Sequence, residues 1–239
     1  MLIGGLQKTS LIDYPDKICA VIFTLGCNFK CKFCYNPELV LPNTQQSIIK
    51  EEVFFKFLDK RKKIIDGVCI TGGEPTLHKD LPKFLAKIKR MKFLIKLDTN
   101  GTNPEMLEKL IKKKLVSYIA MDIKAPLELN SQFLKSKYEK AIGVKVDLKK
   151  IKKSIKIIKD SGIDYEFRTT VVPNLHTEND IIFIAKQIKG TKKFFLQQFV
   201  PNKKMIDEKY KKIKPYSKEV LEKMREKIKK YIKKIKIRE

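Results

Sequence analysis

Six apolar runs of strand length, rich in β-branched residues, recur along this chain of 239 residues. Between them, apolar residues recur at three- and four-residue spacing, which is the pattern of a helix with one buried face. Apolar strands that alternate with such helices predict an α/β fold, with a parallel sheet, outer helices and right-handed crossovers. The predicted strands are Ile18–Leu25, Gly67–Thr71, Phe93–Asp98, Val116–Asp122, Tyr165–Val172 and Phe194–Val200.

Periodicity leaves two architectures open, a doubly wound open sheet and an incomplete (β/α)6 barrel. Both place ligands beyond the carboxyl ends of the strands. The length suits one core domain, residues 1–200, and the connection Ala125–Lys145 is long enough to contain a short helix. Residues 201–239 are predicted to form a loop, Pro201–Tyr216, followed by a basic amphipathic helix, Ser217–Glu239. Packing of that helix on the domain is favoured over binding to a membrane surface.

The charge of the chain is strongly positive. Its formal net charge is +26, and of the 53 basic residues only five are arginines. A dedicated nucleic-acid surface clusters its charge and uses arginine for forked contacts, so this dispersed lysine favours a solvated surface over a nucleic-acid partner. The chain has no apolar run near the roughly 20 residues that span a bilayer and no signal-peptide pattern, which predicts a cytoplasmic location.

Three of the five cysteines, Cys27, Cys31 and Cys34, lie within eight residues directly after the first predicted strand. Thiolates at this CxxxCxxC spacing can bind three irons of a cubane 4Fe–4S cluster and leave the fourth iron open. Structural zinc is the weaker alternative because a fourth ligand is missing from the loop. Cys19 and Cys69 stand alone in apolar runs and are predicted to be buried hydrophobic residues.

Polar motifs follow the later strands. Thr71-Gly72-Gly73-Glu74-Pro75 ends the second strand, where glycines let a backbone approach a ligand and Glu74 offers a negative charge to an ammonium group. Charged residues also end strands three and four and interrupt strand five. They are costly on apolar strands unless paired, so they predict either ligand contacts or an internal salt-bridge set. These residues are Asp98, Asp122, Lys124 and Arg168.

The cysteine motif, with an aromatic residue at Phe33, resembles the signature of the radical S-adenosylmethionine (SAM) superfamily. The segments DTNG (98–101), DIK (122–124) and RTTVVP (168–173) resemble glycyl-radical-enzyme activating enzymes. The opening GLQKTSLIDYP (5–15) is similar to the activating proteins of anaerobic ribonucleotide reductase. The resemblance runs from about residue 4 to residue 200 and implies a partial (β/α)6 TIM-like barrel of the radical SAM type.

The resemblance implies a reaction and roles for individual residues. The open iron would bind the amino and carboxylate groups of SAM, and reductive cleavage would give methionine and a 5′-deoxyadenosyl radical that abstracts a Cα hydrogen from a partner's glycine. Flavodoxin or ferredoxin would donate the electron. Cys27, Cys31 and Cys34 would bind the cluster. The implied SAM contacts are Phe33 and Tyr35 at the adenine, Gly72, Gly73 and Glu74 at the amino group, and Cys34, Asp98, Asp122, Ile123, Lys124 and Arg168 elsewhere.

The sequence departs from this pattern near the sixth strand end, where pyruvate formate-lyase activases carry a histidine and this chain reads Leu196-Gln197-Gln198-Phe199. The additional cysteine insert of some activases is missing, so one cluster is expected. His78 and His176 follow motif strands, and solvated loop positions are favoured for both. Two alternatives stay open: a radical SAM enzyme acting on a small molecule or RNA, such as a 7-carboxy-7-deazaguanine synthase, and a non-catalytic iron–sulfur or zinc protein that binds nucleic acid.

Overall fold

The computed structural model describes residues 1–41, 47–127, 132–201 and 204–238. These residues form one sheet of eight strands in chain order, in which β1 pairs with β2 antiparallel and every later neighbouring pair is parallel. The strands are β1 Ile3–Ser10, β2 Cys19–Thr24, β3 Gly67–Gly72, β4 Leu94–Thr99, β5 Tyr118–Asp122, β6 Asp164–Val171, β7 Lys193–Gln198 and β8 Lys234–Arg238.

Helices connect the parallel strands. The stripe patterns predicted most of them, and the Asn103-Pro104 pair starts its helix as expected, because the Asn103 side chain accepts a hydrogen bond from the Met106 backbone N–H. The long connection after β5 contains a helix, as predicted. The helices are α1 Pro37–Val40, α2 Glu51–Lys60, α3 Leu81–Arg90, α4 Pro104–Lys112, α5 Gln132–Ile142, α6 Leu148–Asp160, α7 Glu178–Gln187 and α8 Lys218–Ile228.

The strand order decides between the two architectures. A doubly wound sheet reverses its strand order at a switch point. Here β2 to β8 follow one another without reversal, so each right-handed crossover places its helix on the same face of the sheet. The fold is therefore of the partial TIM-barrel type. Within the described residues β1 and β8 are the two ends of the strand order, so the barrel is not closed.

Alternation along the strands divides the side chains between two faces. On β2 and β3, Ile22 and Ile70 belong to the large core shared with the helices. Their neighbours Val21 and Cys69 belong to a second, smaller core on the opposite face, together with the buried ring of Tyr14. That second face is the interior of the barrel, and it carries the polar side chains of the candidate site. Cys19 and Cys69 are fully buried there, as predicted.

Two terminal segments differ from the sequence prediction. The C-terminal helix ends at Ile228, and residues 234–238 form β8 instead of continuing the helix; residue 239 lies outside the described residues. The β-branched alternation of KIKIR pairs with β7, and its two isoleucines pack on the main core. The N-terminal strand β1 was not predicted, because its burial alternates irregularly where bulges interrupt the pairing with β2.

No helix among the described residues combines the length and the apolar character that crossing a membrane requires.

Candidate active site

A cavity of about 340 Å³ opens at the carboxyl ends of the strands. This volume falls within the range of small-molecule sites, roughly 300 to 1,000 Å³. Twelve of the residues predicted to bind the cluster or SAM line it, so the fold brings together motifs that are up to 141 residues apart in the chain. They are Cys27, Cys31, Phe33, Cys34, Tyr35, Gly72, Gly73, Glu74, Asp98, Asp122, Lys124 and Arg168.

The cysteine loop, residues 27–34, follows β2 and carries all three thiols on the cavity wall. All three cysteines are free thiols. Burial raises the pKa of Cys27 to about 12 and that of Cys31 to about 11. A thiolate in such a place is costly unless a cation compensates its charge, which a bound iron does. A metal bound at this loop would supply such a cation and would favour the ionised thiols.

The Gly72-Gly73 pair packs the end of β3 against the start of the cysteine loop. A Cβ atom on Gly73 would lie 1.9 Å from the Gly26 carbonyl oxygen, and one on Gly72, whose φ is +115°, would lie 2.2 Å from the Thr24 backbone nitrogen. The Gly73 and Glu74 backbone N–H groups donate to the Thr24 and Gly26 carbonyls at 2.9 Å and 2.8 Å. Both glycines are thus required where two backbones touch, besides lining the cavity.

The Glu74 carboxylate is held by protein donors. Its Oε1 atom accepts hydrogen bonds from the Thr76 backbone at 3.1 Å and the Thr99 hydroxyl at 2.8 Å, and its Oε2 atom accepts one from the Asn100 backbone at 2.6 Å. The side chain is only 1% exposed, and this burial raises the pKa of Glu74. Glu74 therefore ties the ends of β3 and β4 together, a role that sequence reasoning missed.

Arg168 joins the carboxylates of two other strands. Its Nε atom donates to Asp122 Oδ1 at 2.7 Å, and its Nη1 atom donates to Asp98 Oδ2 at 3.2 Å. Lys96, two residues earlier on β4, donates to Asp98, and Lys124 donates to Asp122 Oδ2 at 3.0 Å. The predicted internal salt-bridge set is therefore present, and Asp98, Asp122, Lys124 and Arg168 of this set also line the cavity.

The salt bridges around Arg168 keep their members ionised by shifting the pKa values of these groups. Burial alone would raise the pKa of Asp122, but Arg168 and Lys124 outweigh it and hold that pKa well below its usual range. Burial alone would lower the pKa of Lys124, and the Asp122 carboxylate raises it above its usual range instead. Both groups therefore stay charged at neutral pH, and the cavity presents fixed cations and carboxylates side by side.

Ile123, which was predicted to contact SAM, and the two histidines are not among the residues that line the cavity. The Ile123 side chain is fully buried in the core on the helix side, because alternation places it opposite to Asp122 and Lys124. His176 is 1% exposed and not solvated: its Nδ1 atom accepts from the Val172 backbone at 3.0 Å and its Nε2 atom donates to the Lys124 carbonyl at 2.7 Å. His78 is partly buried, and its Nε2 atom lies 3.0 Å from the Leu25 carbonyl oxygen.

Several residues that line the cavity were not predicted. Alternation from the inward-facing Arg168 places Thr170 on the same face, and this signal could have been used. Gln197 lies at the end of β7, in the segment where the sequence departs from the activase pattern. Asn100 belongs to the DTNG segment but was assigned no contact. All three line the cavity.

The sequence profile of the Radical SAM superfamily matches residues 21–188, which is more than half of the chain. The chain belongs to the radical SAM superfamily. The match begins in β2, covers every strand through β6 and includes the cysteine loop, the glycine pair and the Arg168 salt-bridge set. A radical SAM enzyme carries a 4Fe–4S cluster and uses SAM.

Two relatives agree with this placement. A protein of Methanocaldococcus jannaschii, provisionally named a glycyl-radical enzyme activating enzyme, is 39% identical over 99% of this chain and 95% of its own length. The pyruvate formate-lyase-activating enzyme of Listeria monocytogenes is 32% identical over 51% of this chain and 52% of its own length. This radical SAM chain thus matches one such protein along nearly its whole length.

Solved structures share the fold. Streptococcus suis SuiB bound to S-adenosylmethionine superposes with a TM-score of 0.68 at 19% identity, covering 92% of this chain and 50% of SuiB. The chain therefore corresponds to about half the length of SuiB, and at this identity the likeness concerns the fold alone. It agrees with the partial barrel described above.

The donor set fits a cubane cluster. Among the described residues, no three histidine, cysteine or acidic side chains converge as closely as a single metal ion requires. A cubane spreads its protein ligands more widely, because each thiolate binds a different iron. Three free thiols on one loop, that of Cys31 buried and those of Cys27 and Cys34 partly buried, therefore suit a 4Fe–4S cluster with SAM beside it.

Proposed function

We propose that this radical SAM enzyme activates a glycyl radical enzyme, by reductive cleavage of SAM and removal of a Cα hydrogen from a glycine of that partner. The observation that carries the proposal is that one cavity is lined both by the three thiols and by the charged side chains at the carboxyl ends of β4, β5 and β6. The near full-length match to a protein provisionally named as such an activating enzyme supports the choice of substrate.

Cys27, Cys31 and Cys34 would hold the cluster. When bound, the cluster supplies the single electron that cleaves SAM. Flavodoxin or ferredoxin would deliver that electron to the cluster. A cytoplasmic location suits this chemistry, since free thiols persist in a reducing compartment. Cys31 is buried, while Cys27 and Cys34 are partly buried.

The charged wall would orient SAM. Lys124 and Arg168 offer cations to the SAM carboxylate, while Asp98 and Asp122 offer carboxylates to its ribose hydroxyl groups. Because each ion is already paired with a neighbour, none needs to be reoriented when SAM arrives. Phe33 and Tyr35, next to Cys34, would contact the adenine.

The amino group of SAM would lie at the glycine pair. The backbone of Gly72 and Gly73 lines the cavity and can bond an ammonium group through its carbonyl oxygens. Glu74 supplies a nearby negative charge, but its carboxylate mainly joins the ends of β3 and β4, since its oxygens accept hydrogen bonds from Thr76, Thr99 and Asn100. It is a positioning residue for the amino end.

The partner that we propose is an anaerobic ribonucleotide reductase. Segment 5–15 supports this target, because it is similar to the activating proteins of that enzyme. Segments 98–101 and 168–173 resemble glycyl-radical-enzyme activating enzymes in general, so they support the class of partner. The excess of positive charge would steer an acidic partner surface, and this attraction weakens as salt screens it.

The test mixes the reconstituted, reduced protein with SAM and the anaerobic ribonucleotide reductase of the same organism. A glycyl radical doublet in the EPR spectrum, together with one 5′-deoxyadenosine per radical, is expected. The doublet should vanish when SAM is omitted or when the glycine of the partner is changed to alanine. SAM cleavage without any doublet, together with turnover of a small molecule or RNA, would favour the alternative function and reject this one.

A further inference from the structure

The chain that follows β7 returns to the cysteine loop. Phe199 stacks on Tyr35, with ring centroids 6.5 Å apart and planes at 21°. The Val200 backbone N–H donates to the Tyr35 hydroxyl oxygen at 2.8 Å. The residue directly after Cys34 is therefore tied to the end of the sheet by both a ring contact and a hydrogen bond.

A second segment, residues 204–216, which we call the strap, contacts the other side of the cysteine loop. The Asp207 backbone N–H donates to the Lys32 carbonyl oxygen at 3.0 Å. The Tyr210 ring lies against Phe33, with centroids 6.3 Å apart and planes at 36°. Both contacts fall on the two residues between Cys31 and Cys34.

The strap is anchored independently of these contacts. Its residue Met205 is buried in the main core. At its far end, the Tyr216 hydroxyl donates to the His176 carbonyl at 2.9 Å, and the Gln198 side chain donates to the Tyr216 carbonyl at 3.0 Å. Between these anchors, residues Glu208–Lys212 form a short 3-10 helix that places Tyr210 over the loop.

The charged contact between strap and loop is weak by comparison. Lys32 Nζ lies 3.7 Å from Asp207 Oδ2, with side chains 53% and 26% exposed. Solvent screens such a pair, so it contributes little. The Tyr210 ring and the Asp207 backbone hydrogen bond are therefore the contacts that hold the strap against the loop.

We propose that the strap is a cover for the cysteine loop, which retains the cluster and limits the access of oxygen and chelators to it, with Tyr210 as the positioning residue. The inference rests on the proposed assignment of the cluster to Cys27, Cys31 and Cys34. Solvent exposure is one of the properties that control iron–sulfur clusters. The strap contacts Lys32 and Phe33, which directly follow Cys31, and Cys31 is only 7% exposed.

The test compares three variants of the anaerobically reconstituted full chain. Tyr210→Ala removes the ring contact, Tyr210→Phe retains it, and Tyr231→Ala removes a partly exposed tyrosine ring next to the C-terminal strand as a matched control. The measurements are iron and sulfide content, then the decay of cluster absorbance in air and with an iron chelator. The free energy of unfolding of each protein without its cluster is measured alongside.

Tyr210→Ala is expected to lose its cluster about fivefold faster than the unmodified protein, since removing one ring contact shifts a local opening equilibrium by about that factor. Tyr210→Phe and Tyr231→Ala should match the unmodified protein. Equal decay rates in all four proteins would overturn the cover. It would also be overturned if Tyr231→Ala lost its cluster as fast as Tyr210→Ala, in step with a loss of global stability. Failure of the unmodified protein to bind iron would instead reject the proposed function.

Discussion

Arg168 Nε donates a hydrogen bond of 2.7 Å to Asp122 Oδ1, across the neighbouring strands β6 and β5. The guanidinium group bonds Asp98 of β4 as well, so one side chain bridges three consecutive strands at the cavity wall. A lysine cannot reproduce this fork, because its ammonium group has no planar pair of donors. The arrangement explains why an arginine stands here in a chain whose basic residues are nearly all lysines.

Changing Arg168 to alanine should therefore cost both stability and SAM binding. The variant leaves Asp98 and Asp122 without their shared cation, and breaking a buried pair of this kind costs about 3 to 5 kcal/mol. Arg168→Lys keeps the charge and should retain most of the stability, but bind SAM about tenfold more weakly since the fork is lost. Denaturant unfolding and equilibrium dialysis with SAM measure the two effects. The exposed Arg90→Lys serves as the control and should change neither.

Glu74→Gln should loosen the junction between β3 and β4. The amide retains one acceptor, but its NH₂ group would face a backbone N–H or a hydroxyl donor, and leaving such a buried donor unsatisfied costs about 1 to 3 kcal/mol. We expect reduced stability, weaker SAM binding and full iron content, because Glu74 does not lie on the metal loop. Normal SAM binding by Glu74→Ala would show that the site assignment is wrong. Glu105→Gln, at an exposed ion pair, is the matched control.

Gly73→Ala should prevent the cysteine loop from packing on β3. The new methyl group would meet the Gly26 carbonyl oxygen at 1.9 Å, so one of the two backbones must move. We expect a large fall in iron bound per chain after reconstitution. Gly5→Ala tests the same change where the nearest atom, on Phe23, is 3.4 Å away, and it should bind iron normally. Equal iron content in the two variants would contradict the close approach.

Replacing Cys27, Cys31 or Cys34 by alanine should abolish the cluster. About four irons and four sulfides per chain are expected for the unmodified protein, as one cubane on three thiolates requires. Cys19→Ala should leave both counts unchanged, because that thiol lies in the interior core, away from the cavity wall. Stable zinc in place of iron would contradict the cluster assignment.

His176 should make the protein less stable as the pH falls. Burial lowers the pKa of His176 below its ordinary value of 6.5, with smaller opposing effects from the Lys124 carbonyl and Asp180. Below pH 6.5 the unfolded chain therefore binds a proton that the folded chain does not yet accept, which favours unfolding. The loss continues until the pH reaches the lowered folded-state value and then levels off.

The check is the free energy of unfolding between pH 7.5 and pH 5.5, in chains with and without His176→Gln. Because the pKa of His176 is lower in the folded chain than in the unfolded chain, the unmodified protein should lose more of its free energy of unfolding than the variant across this window. His78 remains in both proteins, and its pKa is lowered as well, so the comparison isolates His176. Parallel pH curves would show that protonation of His176 does not oppose folding.

Local patterns in the sequence were sufficient to predict most of the strands and helices and the chemistry of individual loops. The six central strands, the capped helix after Asn103 and the cysteine loop each depend on residues close together in the chain, so spacing and residue type predicted them. Resemblance to the radical SAM family added the SAM roles, and the family itself is confirmed by the profile match. The individual roles of the lining residues stay predictions.

Tertiary structure decided which of these segments meet. Arg168 pairs with residues 46 and 70 positions away, Tyr35 with one 165 positions away, and Glu74 with the next strand end. These pairs depend on strand order and register, which periodicity leaves open between a barrel and a doubly wound sheet. The last turn of the predicted C-terminal helix became β8 for the same reason, because an unpaired edge at β7 stabilises an added strand that the isolated segment could not form.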